Sequence, residues 1–341
     1  MLRPTRFVIA SMLLLTTTSF GADKWYRGNT HTHTVLCGHA DSTPEAVTRW
    51  YHDRGYNFLV LSEHNEFIDP KSVKMPPERR EEFILVPGQE ITGHHVIHTT
   101  AINTKELVPW ELFDKSKTAV IQTHVDGAAK AGGHAILNHP NFRYAVTARD
   151  MAPVRGLHMF ELYNGHPSVH NHGDTKHPST EKIWDELLTG GMLIYGVSSD
   201  DAHHFQKIAP NLSNPGRGWI MVRADKLDGD TITAAIRGGK FYSSNGVFLS
   251  RCDRSDKSYD VEVDLEKTEK LLKGDPLLRG KAVAEGTEGL QIEFIGPEGR
   301  IIESFKDAKA SFPIAESAAY VRVEITLTRK HPKTGLEAYF A

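Results

Sequence analysis

The chain has 341 residues, 39% of them hydrophobic, with 40 Lys and Arg against 43 Asp and Glu for a formal net charge of −3. That length accommodates one large domain with a small one beside it, and the mildly acidic balance excludes a nucleic-acid platform, which relies on clustered basic side chains. With only two cysteines, a Cys37–Cys252 disulfide is open, and packing of each as a small apolar residue is the favoured alternative.

In chain order, Arg3 and Arg6 precede an apolar run from Phe7 to Leu15 and the small residues Ser19 and Gly21. This is the pattern of a cleavable secretory signal peptide over 1–22, too short to span a bilayer, and it predicts a periplasmic or secreted mature protein with no membrane span. From 23 to 249 strand-like apolar runs alternate with helical stretches, the pattern of an α/β barrel or doubly wound sheet. Thr43-Pro44-Glu45 reads as a helix start, with Thr43 as N-cap, Pro44 in the first turn and a stop at Gly55. Further helices are expected over 118–131, 179–189 and 231–237, each ended by a glycine pair (132–133, 190–191, 238–239). None of these pairs has the spacing of a phosphate-cradling loop. From 250 to 341 the segments 259–265, 290–294, 300–305 and 319–327 read as strands, with Gly296-Pro297-Glu298-Gly299 as a turn. They predict a small, β-rich, sandwich-like module that packs on the barrel.

Chemistry concentrates where the apolar runs give out. His31-Thr32-His33 follows the first run, and residues i and i+2 of an extended chain share a face, so two imidazoles can meet one cation. Glu63-His64, Glu90, His139 and Asp201-Ala202-His203 each follow an apolar run in the same way, which is where α/β barrels and parallel sheets carry their active sites. Imidazole and carboxylate donors without cysteine pairs suit Zn, Mn or Fe. The donors outnumber what one cation takes, so two to three divalent metals are expected, an arrangement suited to hydrolytic phosphoryl chemistry.

Five motifs resemble those of the PHP (polymerase and histidinol phosphatase) superfamily: His31-Thr32-His33 with His39, Leu61-Ser62-Glu63-His64-Asn65, Gly88-Gln89-Glu90, Asn138-His139-Pro140 and Ser199-Asp200-Asp201-Ala202-His203. The resemblance implies a distorted (βα)7 TIM-like barrel carrying a trinuclear metal centre that hydrolyses phosphoesters. Carried over by position, it implies one metal on His31, His33, Glu90 and Asp201. A second takes Glu90, His139 and a histidine from 94–98, with His98 preferred to His94 and His95, and a third takes His39, His64 and His203. Asp41 is the alternative to His39. Glu90, Asp201 and His203 are the implied catalytic residues, working through a metal-activated hydroxide.

Around this set, Arg143 and Arg217 are candidate phosphate ligands, since arginine binds phosphate bidentately. Asn164, His166 and His172 lie in a turn-rich loop after a strand and are candidates for substrate contact or proton transfer. Glu161 is a weaker ligand or supporting candidate, and Glu63 and Asp200 are candidates to orient metal-bound histidines. The expected substrate is a small-molecule or glycan-linked phosphoester. A metal-dependent amide or lactone hydrolase, or a secreted binding protein with a vestigial site, are the other readings.

Overall fold

A computed structural model describes residues 23–75, 79, 81–110, 115–274, 280–314, 319–331 and 335–341. The expected signal peptide lies outside these residues. Short apolar runs become strands: β1 (Lys24–Asn29), β2 (Phe58–Val60) and β3 (Ile84–Val86) are parallel neighbours, and β4 (Gly88–Thr92) and β5 (His98–Ile102) form a hairpin. β6 (His134–Leu137) pairs antiparallel with β5, then β7 (Met159–Asn164) and β8 (Tyr195–Ser199) add in parallel. β9 (Trp219–Ala224) returns antiparallel to β1, and β10 (Phe241–Ser244) pairs antiparallel with β9. The result is two five-stranded mixed sheets, ordered β10-β9-β1-β2-β3 and β4-β5-β6-β7-β8.

Among the described residues these sheets do not close into the expected (βα)7 barrel. Only five residues connect β4 to β5, enough for a hairpin, whereas a parallel crossover needs a dozen or more. Among the described residues no continuous ladder joins the two sheets. They meet instead through isolated bridges between Thr32 and Ala202 and between His64 and Glu90, both at the end of the molecule where the candidate ligands gather.

The helices start where side-chain caps dictate. α1 (Pro44–Asp53) is capped by Thr43, α2 (Lys117–Lys130) by Ser116, α4 (Thr180–Thr189) by Ser179 and α5 (Gly229–Arg237) by Asp228. Between α2 and α4 lies the short α3 (Ala148–Met151), which apolar periodicity did not signal. Two of the expected glycine pairs finish their helices through the second residue, Gly191 at φ 86° and Gly239 at φ 69°, a conformation costly for any side chain.

Beyond β10 come β11 (Leu249–Arg254), β12 (Ser258–Val263), α6 (Leu265–Gly274), β13 (Lys281–Ala282), β14 (Gly289–Gly296), β15 (Arg300–Phe305), β16 (Lys309–Pro313), β17 (Arg322–His331) and β18 (Gly335–Phe340). They build a three-stranded sheet, β11-β12-β16, and a five-stranded one, β13-β18-β17-β14-β15. The segment expected to continue as a strand to Leu265 turns helical there. One apolar core runs without a break from Tyr51, Leu59 and Trp219 through Phe248 to Val261, Phe294, Ile325 and Tyr339. A buried ion pair adds to it: Arg322 Nε and Nη2 lie 2.8 and 2.9 Å from the two oxygens of Asp185 on α4. Removing one partner of such a pair typically costs about 3–5 kcal/mol. Both cysteines are free thiols, so the disulfide is not formed. Among the described residues no helix is long and apolar enough to cross a membrane.

Candidate metal centre

β1 ends at Asn29, two residues short of the first histidine. Asn29 Oδ1 accepts the His31 N–H at 2.9 Å and its amide donates to Gly218 O at 3.0 Å, so the chain turns inward and His31 and His33 follow the strand rather than lie in it. Both rings are fully buried. Their Nε2 atoms stand 3.1 Å apart, each is 3.4 Å from Asp201 Oδ1, and each is 3.4 Å from an oxygen of Glu90. Donors about 2.1 Å from a tetrahedral cation are separated by about 3.4 Å, so His31, His33 and Asp201 have the spacing that ligands of one ion would have, with Glu90 beside them.

Glu90, on β4, ties the rest together. Its Oε1 is 3.1 Å from His98 Nδ1, 3.3 Å from His139 Nε2 and accepts from Asn138 Nδ2 at 2.9 Å, while Oε2 is 2.7 Å from His64 Nδ1. Burial opposes its charge, but the surrounding imidazoles of His31, His98 and His64 outweigh burial and hold the carboxyl well below its usual range. His33, His64 and His203 place one donor each within 4.8 Å of one another. His39, exposed at the rim, stacks on His64 and His203 with ring centroids 5.3 and 4.6 Å away.

The rings are held from behind. Glu161, buried in the middle of β7, takes His31 Nδ1 at 2.8 Å on one oxygen; the other accepts the His139 N–H at 2.7 Å and the Asn164 amide at 2.8 Å. Ser199 also donates to it. Burial disfavours charge on His31, yet Asp201, Glu90 and Glu161 together raise its pKa well above the ordinary value of 6.5. Glu63 accepts the Thr34 N–H at 2.7 Å and lies 3.7 Å from His33 Nδ1. Being fully buried, it is no solvating charge. His203 gives Nδ1 to the carbonyl of Asp201 at 2.9 Å, leaving Nε2 buried without a hydrogen-bond partner among the described residues. Burial, then the neighbouring His33, push its pKa down to about 2. The neutral, inward-facing Nε2 of His203 is a donor of the kind a divalent cation takes. His139 and Asp201 sit at φ 24° and 50°, and strained backbone of this kind, costing about 1–3 kcal/mol per residue, concentrates at functional sites.

The structure therefore brings His31, His33, His64, Glu90, His98, His139, Asp201 and His203 together, with His39 at the edge. Of the three histidines in 94–98 only His98 reaches Glu90; His95 Nε2 bonds the Lys115 carbonyl at 2.6 Å and His94 packs edge-on against His95. Asp41 is spent on the Phe205 and Gln206 N–H groups.

Several expectations for the surroundings are corrected. Asp200 orients no histidine: it accepts from Tyr51 Oη and from the backbone of Gly216, Arg217 and Gly218, at 2.6 to 2.9 Å. Arg217 is buried, with its guanidinium committed to Ala209 O and Asn214 Oδ1 at 3.0 Å, so it clips a loop instead of meeting phosphate. Asn164 bonds Glu161 and, at 3.3 Å, Asp201, which makes it a brace within the cluster. His172 lies beside Phe340 in a cleft of about 810 Å³ between α4 and the C-terminal strands, lined by none of the clustered ligands.

Two candidates do border the cluster. The His166 ring is 5.9 Å from that of His203, and its Nδ1 accepts the Ser168 N–H at 3.1 Å, so the proton of the neutral ring belongs on Nε2. Arg143 is exposed at φ 54° with its guanidinium 5.5 Å from the Phe142 ring, which packs 5.4 Å from His139. Asn138, Ser199 and Thr92, whose hydroxyl meets His64 Nδ1 at 2.7 Å, are site residues that residue type alone did not single out.

No family model and no curated protein matches the chain. Among the solved structures it is similar to is a two-domain protein containing a predicted PHP-like metal-dependent phosphoesterase from Bacteroides vulgatus ATCC 8482, with 14% identity and a TM-score of 0.48 over 94% of this chain and 95% of that one.

Proposed function

We propose that the chain is an exported metal-dependent phosphoesterase with two to three divalent cations, Zn, Mn or Fe, as cofactors. The convergence of five buried or half-buried imidazoles, those of His31, His33, His64, His98 and His139, on Glu90 is the observation that carries this reading. His31, His33, Glu90 and Asp201 would hold one cation, Glu90, His98 and His139 a second, and His39, His64 and His203 a third. Cations held there supply a nucleophile from water at neutral pH and neutralise phosphoryl oxygens.

The chain's own residues complete the chemistry. Glu90 stays ionised among its imidazoles and so can be shared between adjacent positions. Arg143, exposed with its guanidinium 5.5 Å from the Phe142 ring, would bind a phosphoryl oxygen, and His166 would give its Nε2 proton to the leaving oxygen. The substrate is a small or glycan-linked phosphoester. Elemental analysis combined with turnover of p-nitrophenyl phosphate and bis-p-nitrophenyl phosphate tests the reading. Two or more metal equivalents with hydrolysis of either ester are expected. Fewer than two equivalents overturns the multinuclear centre, and inertness of the fully loaded protein toward both esters overturns the phosphoester assignment.

A further inference from the structure

The loop that carries His39 also carries a thiol. Thr34 caps the short turn Val35–Cys37 by accepting the Leu36 N–H, and Gly38, at φ 80°, closes it, so Cys37 and His39 are presented together. Cys37 Sγ, a ring nitrogen of His39 and a ring nitrogen of His203 all lie within 4.8 Å of one another. His39 Nδ1 is turned to the Cys37 carbonyl at 3.0 Å, which leaves Nε2 for the shared space. His203 is the independent pointer to a ligand there: the residue is only 5% exposed, and its Nε2 has no hydrogen-bond partner among the described residues.

We propose that Cys37 supplies a thiolate donor at the outer metal position, alongside His39 and His203. The proposal rests on the metal-centre part of the functional reading but not on the phosphoester assignment. Its chemistry differs from that of the inner positions, which offer only imidazole and carboxylate. A thiolate is a soft donor that favours zinc, cobalt and ferrous iron over manganese or magnesium. On binding, the sulfur–hydrogen bond breaks, the sulfur–metal bond forms with the same electron pair, and the proton passes to solvent. Cys37 therefore gives one pole of the centre a metal preference the other pole lacks. A cysteine contact to His33 and Glu63, whose donors are also within 4.8 Å of Sγ, is the competing use of the same thiol.

The test is cobalt substitution of the full chain, stripped of metal and reloaded under reducing conditions. A cobalt–thiolate pair gives a near-ultraviolet charge-transfer band that imidazole and carboxylate ligands do not. The band should appear in the loaded wild-type protein and in Cys252→Ser, and be lost in Cys37→Ser together with one cobalt equivalent. A loaded wild-type protein without the band overturns the proposal on its own, whatever the folding of the variants, and so does a band that survives Cys37→Ser. Because the readout is absorption, failure of every phosphoester assay would leave it standing, and active enzyme without the band would refute it alone.

Discussion

The two poles of the histidine cluster are held by different chemistry. At the inner pole His31 and His33 are fully buried, and carboxylates stand on both sides of them: Glu161 and Glu63 behind, Glu90 and Asp201 in front. At the outer pole the rings of His39 and His203 lean on backbone carbonyls, only His64 meets a carboxylate, its Nδ1 standing 2.7 Å from both Glu90 Oε2 and the hydroxyl of Thr92, and His39 is exposed. A carboxylate behind an imidazole raises its basicity and fixes its tautomer, whereas a carbonyl mainly fixes direction. The inner pole is therefore built to retain a cation, and the outer pole to exchange one.

The largest effect that would break this contrast is at Glu90. Glu90→Gln should cost on the order of a thousandfold in turnover, more than the roughly 10–100-fold of a supporting residue, and should lower bound metal measured by elemental analysis. Full metal content with wild-type turnover would remove Glu90 from the centre. Next, Glu161→Gln should weaken retention at the inner pole by roughly 10–100-fold in competition with a chelator while leaving the outer pole's exchange rate unchanged. Equal effects at both poles would mean that Glu161 serves the fold and not the cation. His39→Ala should act only on the outer pole, with a loss of roughly tenfold in affinity at that position and little change in thermal stability, because the side chain is exposed.

The smallest effect is on pH dependence. In the metal-free chain the pKa values of His31 and His33 stand above the ordinary 6.5, so their protonated forms stabilise the fold below pH 6.5 and that contribution is lost as pH rises through the raised values. Cations need the neutral rings, so the rise in melting temperature on adding zinc should grow as pH climbs above 6.5. A zinc-induced rise that is flat across that range would show that the inner histidines are not protonated without metal.

The ligand set was legible because its members are residue types rarely clustered by chance and each follows an apolar run, as Glu90 does after Ile84–Val86. Position in the chain does not reveal what a polar side chain is committed to. Arg217 and Asp200 are near the site in sequence and face a loop whose close approach depends on Gly218: a Cβ there would strike the Ser199 carbonyl. Asn164 looked like a substrate contact because amides sit in loops, yet it braces two carboxylates. The start of α1 was legible in its cap Thr43, whereas Ser179 and Asp228, which cap α4 and α5, were not singled out as caps, and the division into two sheets depended on a connection length, five residues between β4 and β5, whose meaning emerges only once both strands are recognised. Cys37 was set aside as a small apolar residue, and only the folded loop places its sulfur among imidazoles.

The apolar core that passes from Trp219 and Phe248 into Phe294, Ile325 and Tyr339 has a thermodynamic consequence. No plane through the molecule separates one set of buried side chains from another at that border, so the chain should melt in a single cooperative transition, and a version ending at residue 249 would present bare aromatic surface to solvent and precipitate.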